Sequence, residues 1–523
     1  MKPIDCSISA LPSMDYTRFL HQGSSLVDQE IEADVLVIGS RAGGGASMEY
    51  LTSQGLSVVG IEAGGYHPLK YMNQNLTDMI EYLAWGQANS GAQDGSLRIV
   101  HGKGIGGSTT MHMLTMTSIP EKILLDWQGR LGLQTMGPEA INPIVSEIRN
   151  VMNIRTIDRS AVNKNAEKWI EGCDALGAYW TLNDRNAGQC VQSGRCHTGC
   201  PFGGKVSTDV SFIPRALNQG LRLYTNTRVT EVQSTNGVAT GVKCQVHDPM
   251  DDRVLGEVAF RGKAIILACG ALLSPALLLA SGMQSPSGQV GGRLCVQPGV
   301  NIIGEFDEEI YPWRGITNPI HIDEWVDHPE GGFFIEPGML DPSIIGDFIP
   351  HIGEQHLDIM DRYRFMTAGQ ILYRDDGSRN RVVLTDGKPD VVFDLSSRDL
   401  DRIRFAIRKS SEILLAGGAK AVYVGQRHPM VFRQGKDLDF GDLSKITQAD
   451  FHWESVHVHG SCPMSNDPAS GVVDQVAECH HVKRLFIGDA SIFPTAIGTN
   501  TTIPAAIAGV IAAQGAMRRY FSS

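Results

Sequence analysis

The sequence predicts a mixed α/β protein, α+β overall, in which a parallel β-sheet is assembled from separated parts of the chain. Residues 33–39 (ADVLVIG) form a short apolar run rich in β-branched side chains, which is typical of a buried parallel strand. The same pattern returns at residues 263–268 and again at residues 485–487. Long segments without this apolar, β-branched pattern separate these runs. We therefore expect one discontinuous parallel-sheet domain and a second domain formed by the insertions.

The first element is a β-α-β unit. Strand 33–39 leads into a glycine-rich turn at 39–45, a helix is predicted for 46–54, Gly55 ends it, and 56–61 is the next strand. Such a unit binds a dinucleotide when its glycines let the backbone approach a pyrophosphate at the helix N-terminus. It also needs an acidic residue after the second strand, where the ribose hydroxyls lie.

The turn matches this dinucleotide-binding pattern in part. Gly39 and Gly44 occupy the first and third glycine positions, and Glu62 follows the second strand. Arg41 stands where the second glycine, the one nearest the pyrophosphate, is expected. Its side chain either shifts the backbone slightly or weakens binding, and its guanidinium can also pair with a phosphate. Taken alone, the turn leaves open an ordinary glycine-rich connection in an α/β protein.

The remaining elements follow in order along the chain. Residues 116–186 are predicted as helices mixed with loops, and residues 221–232 and 238–246 as strands of a small antiparallel insertion. Residues 300–450 show weak periodicity and scattered aromatic side chains. Residues 503–520 are predicted as a long helix that follows the last parallel strand.

The composition excludes several classes of function. The chain has 523 residues, enough for two or three domains, and a formal net charge of -12. This acidic balance argues against nucleic-acid binding, which needs a basic surface. Residues 1–27 lack a basic stretch followed by an apolar run, and the apolar run 503–513 is too short to cross a bilayer, so we expect neither a secretory signal nor a transmembrane segment. Most of the ten cysteines are scattered, which indicates a reducing compartment, the cytoplasm.

Three cysteines form a cluster. Cys190, Cys196 and Cys200 lie close together in sequence, and Pro201 follows the last of them. Thiolates at this spacing can share a metal or an iron–sulfur cluster, and a proline after the last cysteine is common in such runs. His197 would be an additional ligand. The alternative is three structural thiols, or one disulfide with a spare thiol.

Further motifs point to a known family. Residues 102–109 (GKGIGGST) and 270–282 (GALLSPALLLASG) form two glycine-containing signatures. Near the C-terminus, HVHGSCPM at 457–464 is followed by DASIFPT at 489–495 and by Asn500. In this order the motifs resemble those of the glucose-methanol-choline (GMC) oxidoreductases. The family's second signature ends in a glycine where this chain has Gln284, which we expect to change only a local turn.

The resemblance extends from about residue 34 to residue 517 and is loose between residues 300 and 450. It implies the GMC fold, which combines a Rossmann-like FAD-binding domain with a substrate domain built on an antiparallel sheet. We expect the FAD-binding domain in residues 30–125, 201–300 and 455–520. We expect the substrate-binding domain, with the cysteine segment, in residues 126–200 and 301–454.

The resemblance also implies which residues bind FAD. Gly39, Gly44 and Glu62 would hold the ADP half. Arg41 departs from the family's pattern and is a candidate contact of the phosphates through its own charge. His112 lies where the family has Asn or His beside the flavin. Some members attach FAD through a His one position earlier, which here is Met111, so we expect non-covalent FAD. The other implied contacts are Gly102, Gly106, Gly107 and Ser108 along the flavin, Val229 near the adenine, and Asp489 near the ribityl and pyrophosphate.

Two residues align with the family's catalytic pair, His457 and Asn500. Oxidation of an alcohol needs a base for the hydroxyl proton and a partner that orients the oxygen. The hypothesis is that His457 accepts the proton while the carbon-bound hydride passes to flavin N5. His459 is the local rival, because residues two apart in an extended segment share a face.

The resemblance therefore implies an FAD-dependent oxidoreductase acting on a CH–OH group of an alcohol, sugar or sterol-like molecule. One alternative is a flavin-dependent non-redox enzyme, a lyase or decarboxylase of the same family. Another is an FAD-deficient binding protein, suggested by Arg41. The cysteine spacing resembles that of family members with a [3Fe-4S] cluster that passes electrons to an acceptor subunit or cytochrome. The residues that follow Cys200 also resemble long-chain alcohol oxidases, for which no cluster is implied.

Overall fold

The computed structural model describes residues 20–22, 30–338, 341–349, 351–425, 427, 430–434 and 441–522. Within these ranges the chain forms two large β-sheets of eight strands each, covered by helices. The sequence-based expectation for residues 1–27 falls almost entirely outside the described residues. No helix in the described ranges combines the length and the apolar character needed to span a membrane.

The first sheet has a parallel centre and an antiparallel edge. Strand Glu30–Ile38 lies in the middle, parallel to Val58–Ile61 on one side and to Val254–Leu267 on the other. Leu485–Ile487 pairs in parallel with the end of Val254–Leu267, so the predicted assembly from separated segments is confirmed. The other strands are Leu20–Gln22, Arg222–Thr225, Thr227–Thr235 and Val238–His247.

The predicted antiparallel insertion is partly wrong. Residues 221–232 do not form one strand, because Asn226 adopts a left-handed conformation (φ 50°) that divides them. The first part, Arg222–Thr225, pairs in parallel with Val58–Ile61 and belongs to the parallel half of the sheet. Only the second part, Thr227–Thr235, pairs antiparallel with the strand that follows it.

Helix Ala42–Ser53 packs against the C-terminal helix Thr502–Tyr520 through a backbone contact. A Cβ added to Gly509 would lie 2.1 Å from the carbonyl oxygen of Gly43. The hydroxyl of Ser47 donates to the carbonyl oxygens of both glycines, at 2.8 and 2.9 Å. The helix begins earlier than predicted, and this contact holds its first turn at the C-terminal ends of the parallel strands, where ligands bind in such sheets.

The second sheet is mainly antiparallel. Gly299–Glu305 pairs with Met366–Tyr373, which pairs in turn with Phe333–Glu336. Trp453–Ser455 pairs in parallel with Leu97–Ile99, which comes from the segment predicted for the FAD-binding domain. The domain boundaries as a whole stay a prediction. The remaining strands of this sheet are Ser90–Gly91, Ala421–Val424 and Val431–Arg433.

The second sheet is in contact with two helices, Lys164–Leu176 and Ser397–Ala416. They approach closely, since a Cβ on Gly172 would lie 2.0 Å from the carbonyl oxygen of Ile413. The other described helices are Leu76–Leu83, Glu121–Gly129, Pro138–Val151, Phe212–Asn218, Leu273–Ala280, Pro342–Phe348 and Glu354–Met360. Short strand pairs are Ile154–Thr156 with Asp184–Asn186, Thr181–Leu182 with Ile320–His321, Leu294–Cys295 with His459–Gly460, and Arg381–Thr385 with Lys388–Val392.

Candidate active site

The glycine-rich turn has the conformation that a dinucleotide site requires. Gly39 has a φ of 96°, and a Cβ there would lie 2.6 Å from the carbonyl oxygen of Ala268. A Cβ on Gly44 would lie 1.9 Å from the carbonyl oxygen of Gly39. The first glycine therefore makes the tight turn, and the other lets the helix approach the strand.

The start of helix Ala42–Ser53 is suited to an anion. No side chain caps its first turn, and that turn contains no acidic residue. Its N–H groups and the positive end of the helix dipole are thus directed toward a phosphate position. Glu62 lies beside it and accepts hydrogen bonds from Ser40 N (3.1 Å), Ser40 Oγ (2.7 Å) and Gly64 N (2.9 Å). The residues present therefore fit the pyrophosphate and ribose of a dinucleotide.

Arg41 extends from this turn across two neighbouring loops. Its Nη2 donates to the carbonyl oxygen of Gly102 (2.8 Å) and to Nδ1 of His101 (2.6 Å). Its Cγ occupies the space over Gly107, where a Cβ would lie 2.4 Å away. Burial lowers the pKa of the guanidinium, and the charges of Glu62, Cys269 and Asp489 oppose this effect. Sequence reasoning placed Arg41 here but missed His101, whose only signal is its position before the 102–109 motif.

The 102–109 loop is joined to the glycine-rich turn by hydroxyl groups. Gly106 N donates to Ser40 Oγ at 3.2 Å, and the Oγ1 of Thr208 donates to Ser40 O at 3.2 Å. Gly102 N donates to Ser108 Oγ at 3.0 Å, which closes the loop on itself. A Cβ on Gly106 would lie 3.0 Å from Oδ1 of the buried Asp209.

Asp209 Oδ1 has no hydrogen-bond partner among the described residues, and burial raises the pKa of this carboxyl group. A buried polar atom without a partner beside a glycine loop is consistent with a ligand surface.

Asp489 and Val229 lie at two other edges of this region. Asp489 Oδ2 accepts from Gly270 N (2.8 Å) and Ser274 Oγ (2.5 Å), so it fixes the turn of the 270–282 motif. Val229 is half-buried on strand Thr227–Thr235. The N–H of Thr227 on this strand donates to the carbonyl oxygen of Glu62 at 3.0 Å. The structure thus brings both residues to the vicinity of the turn, while their contacts with FAD stay a prediction.

The two predicted catalytic residues lie together. Asn500 Nδ2 is 3.2 Å from His457 Nε2, and Asn500 Oδ1 accepts from Thr117 Oγ1 at 3.0 Å. Burial lowers the pKa of His457 to about 3, with a smaller contribution from His459. Because the amide oxygen is occupied by Thr117, the amide nitrogen faces the imidazole. The His457 ring is therefore neutral and presents the Nε2 lone pair.

His459 has a structural role. Its Nδ1 donates to the carbonyl oxygen of His457 at 2.8 Å, and its Nε2 accepts from Ile497 N at 3.1 Å. Both ring nitrogens are thus used by the backbone, and burial lowers the pKa of His459 to about 4. The His459 ring fixes the turn that carries His457. Although His459 lies on the same segment, neither of its ring nitrogens is free to act as a second base.

His112 is also held by protein groups. Its Nε2 is 3.3 Å from Asn186 Nδ2, and its Nδ1 is 3.5 Å from Thr502 Oγ1. Burial lowers the pKa of His112 well below its usual value, and the charges of Lys205 and Arg185 add to the effect. The ring is therefore neutral.

The cysteine segment receives no support as a metal centre. Cys190, Cys196 and Cys200 are free thiols that line one small cavity of about 20 Å³. Nevertheless, within the described ranges no three His, Cys, Asp or Glu side chains are grouped so that they could hold a metal ion. His197 joins no such group, and its ring nitrogens have no hydrogen-bond partner among these residues. The structure therefore favours structural thiols, and the acceptor subunit or cytochrome predicted with the cluster is equally unsupported.

Comparisons with known proteins agree with this geometry. The N-terminal model of the GMC oxidoreductases matches residues 35–299, and the C-terminal model matches residues 376–509. The GMC-type oxidoreductase Rv0492c of Mycobacterium tuberculosis is 24% identical over 93% of this chain and 76% of its own length. The long-chain-alcohol oxidase FAO4A of Arabidopsis thaliana is 27% identical over 92% of this chain and 68% of its own length. A formate oxidase variant from Aspergillus oryzae superposes with a TM-score of 0.72 at 14% identity, covering 94% of this chain and 99% of its own.

Proposed function

Since the chain belongs to the GMC oxidoreductase family, we propose that it oxidises the CH–OH group of an alcohol or sugar, with FAD as the cofactor and His457 as the base. The observation that carries the proposal is the contact of half-buried His457 with buried Asn500, in which Nε2 and Nδ2 are 3.2 Å apart. An imidazole can accept the hydroxyl proton while the carboxamide N–H holds the same oxygen. A non-redox reaction would not need a pair that handles an O–H proton.

His457 is unprotonated throughout the neutral and mildly acidic range, because burial lowers its pKa to about 3, so its Nε2 lone pair is available to a substrate hydroxyl. The substrate hydroxyl would lie against both groups and replace the direct bond between them, donating its proton to Nε2 of the imidazole and accepting from Nδ2 of Asn500. FAD, when bound, supplies the acceptor for the hydride of the C–H bond. Asn500 is buried and His457 is half-buried, and this limited access of water strengthens both hydrogen bonds to the reacting oxygen.

The groups that would hold FAD are the ones already brought together around the glycine-rich turn. The uncapped start of helix Ala42–Ser53 and the Arg41 guanidinium would meet the pyrophosphate, and Glu62 the ribose. The 102–109 loop and Asp489 would line the rest. We infer non-covalent binding, because Met111 occupies the attachment position and His112 engages Asn186 and Thr502.

The substrate class rests on the relatives. FAO4A is named a long-chain-alcohol oxidase, which favours an aliphatic alcohol over the sugar and sterol-like substrates also predicted from the sequence. The test is to mix purified, flavin-loaded protein anaerobically with primary alcohols of increasing chain length, sugars and a sterol. Loss of the flavin absorption near 450 nm with at least one alcohol or sugar supports the proposal. A flavin-free protein, or a flavin that none of these compounds reduces, would contradict it.

A further inference from the structure

A buried carboxyl group lies directly behind the catalytic pair. Glu336 ends strand Phe333–Glu336, in which every residue is buried. Its Oε1 accepts from Asn500 Nδ2 at 3.0 Å, and its Oε2 accepts from Asn318 Nδ2 at 2.7 Å. Burial raises the pKa of Glu336, while the hydrogen bond from Asn500 is the largest opposing influence. Strand Phe333–Glu336 belongs to the second sheet, so the group reaches the pair from outside the FAD-binding motifs.

The Asn500 carboxamide is held from both ends. Its nitrogen lies between two acceptors, Glu336 Oε1 at 3.0 Å and His457 Nε2 at 3.2 Å. Its oxygen accepts from Thr117 Oγ1 at 3.0 Å. If the amide were rotated by half a turn, its oxygen would face the carboxyl oxygen of Glu336, and two acceptors would oppose each other. Its N–H groups would face the Thr117 hydroxyl, which donates its own hydrogen in that direction. The amide therefore has one favourable orientation.

This orientation decides which atom of His457 is basic. With an N–H group facing Nε2, the imidazole keeps its lone pair there and carries its proton on Nδ1. If the amide were reversed, its oxygen would face Nε2 and favour the Nε2–H tautomer and the imidazolium. The ring would then have no lone pair directed at the substrate hydroxyl.

We propose that Glu336 is a positioning residue that fixes the Asn500 carboxamide and thereby keeps the Nε2 of His457 as the proton acceptor. The inference rests on the proposed alcohol oxidation, which requires a hydrogen-bond acceptor for Asn500 behind the catalytic pair. The requirement is for an acceptor atom, not for a charge. The surroundings of Glu336 can also accommodate an uncharged side chain. Oδ1 of Asn318 is buried without a partner among the described residues and could accept from the amide of a Glu336→Gln variant.

The test compares Glu336→Leu with the conservative variant Glu336→Gln. Glu336→Gln retains an acceptor for Asn500, so we expect flavin reduction within roughly threefold of the parent protein. Glu336→Leu removes it, and we expect reduction to slow by about 10²-fold, the contribution of one positioned base. In Glu336→Leu the acid limb of the rate–pH profile should also move upward toward about pH 6.5, the ordinary histidine value, because the freed amide oxygen stabilises the imidazolium.

A matched control is Glu305→Gln, which alters a carboxyl group in the same sheet that bonds Tyr423 (2.8 Å) and Arg362 instead of the catalytic pair. It should change neither the rate nor the pH profile. If Glu336→Leu does not fold, Thr117→Val tests the same orientation from the oxygen end and should shift the acid limb in the same direction.

A folded, FAD-containing Glu336→Leu protein with the parent rate and pH profile would overturn the inference. So would a Glu336→Gln protein as slow as Glu336→Leu. His457→Ala separates the two levels of the argument. If His457→Ala loses flavin reduction while Glu336→Leu does not, only the role of Glu336 fails. If His457→Ala also reduces its flavin normally, the proposed function itself fails.

Discussion

Nη2 of Arg41 lies 2.6 Å from Nδ1 of His101, so the cation that replaces a glycine in the dinucleotide turn is held by a neutral imidazole. Burial, reinforced by the charge of Arg41, lowers the pKa of His101 well below its usual value, which keeps Nδ1 free to accept. His101 Nε2 is bonded to Ser90 Oγ at 3.0 Å, which fixes the ring. The guanidinium is therefore placed beside the helix start before any anion arrives.

Arg41→Leu should weaken FAD binding to the apoprotein by about tenfold, the value of one charge-assisted hydrogen bond. The loss should be seen with ADP, which contains the pyrophosphate, and be much smaller with adenosine. Titration of the apoprotein's intrinsic fluorescence with FAD, ADP and adenosine measures these affinities. Arg98→Leu is the matched control, because Arg98 is an exposed cation paired with Glu454 at 2.6 Å. Equal affinities of the parent and Arg41→Leu proteins for FAD would show that Arg41 does not contact the phosphates.

Gly44→Ala should destabilise the first sheet by about 3 kcal/mol or more, because the backbone must move to admit the methyl group. The Cβ would lie 1.9 Å from the carbonyl oxygen of Gly39. Gly55→Ala is the control, since Gly55 has a φ of 80° but no atom within 4 Å of the added Cβ. It should cost about 1 kcal/mol of backbone strain alone. Urea unfolding gives both values, and equal losses would contradict the close helix–strand contact.

Acid should destabilise the protein below about pH 6.5. Burial lowers the pKa of His457 to about 3, and of His459 and His67 to about 4. These rings are neutral when folded but take up a proton in the unfolded chain below its ordinary pKa of about 6.5. Their stabilising contribution is present above that pH and is lost as the pH falls toward 3–4, by roughly 1.4 kcal/mol per pH unit for each ring.

The variant His67→Phe checks this slope, because His67 packs edge-on against Tyr82 at a ring distance of 4.1 Å and a phenyl ring can keep that contact. The free energy of unfolding of His67→Phe should fall less steeply between pH 6.5 and pH 4.5 than that of the parent protein. Parallel slopes in urea titrations at these two pH values would mean that His67 is protonated in the folded state.

The parts of the site that depend on local spacing or on family motifs could be predicted, while those that depend on other distant contacts could not. Gly39, Gly44 and Glu62 belong to one β-α-β unit whose spacing sets their geometry, and the structure brings them together as expected. His457 and Asn500 were aligned through family motifs, and their side chains do meet.

Glu336 shows what sequence spacing misses. It comes from the 300–450 segment, where periodicity is weak, and it meets Asn500 only through the pairing of the second sheet. His101 is similar, because a histidine before a glycine motif gives no indication that an arginine 60 positions earlier will bond to it. The strand division at Asn226 was missed because a single left-handed residue leaves the apolar pattern on both sides unchanged.

The most direct measurement of the central claim is anaerobic stopped-flow reduction of the flavin by an alcohol substrate in His457→Ala. The proposed chemistry predicts that this protein keeps its FAD and its fold but reduces the flavin about 10³-fold more slowly than the parent, because the hydroxyl proton has lost its acceptor. A His457→Ala protein that retains FAD and is reduced at the parental rate would contradict the assignment of His457 as the base.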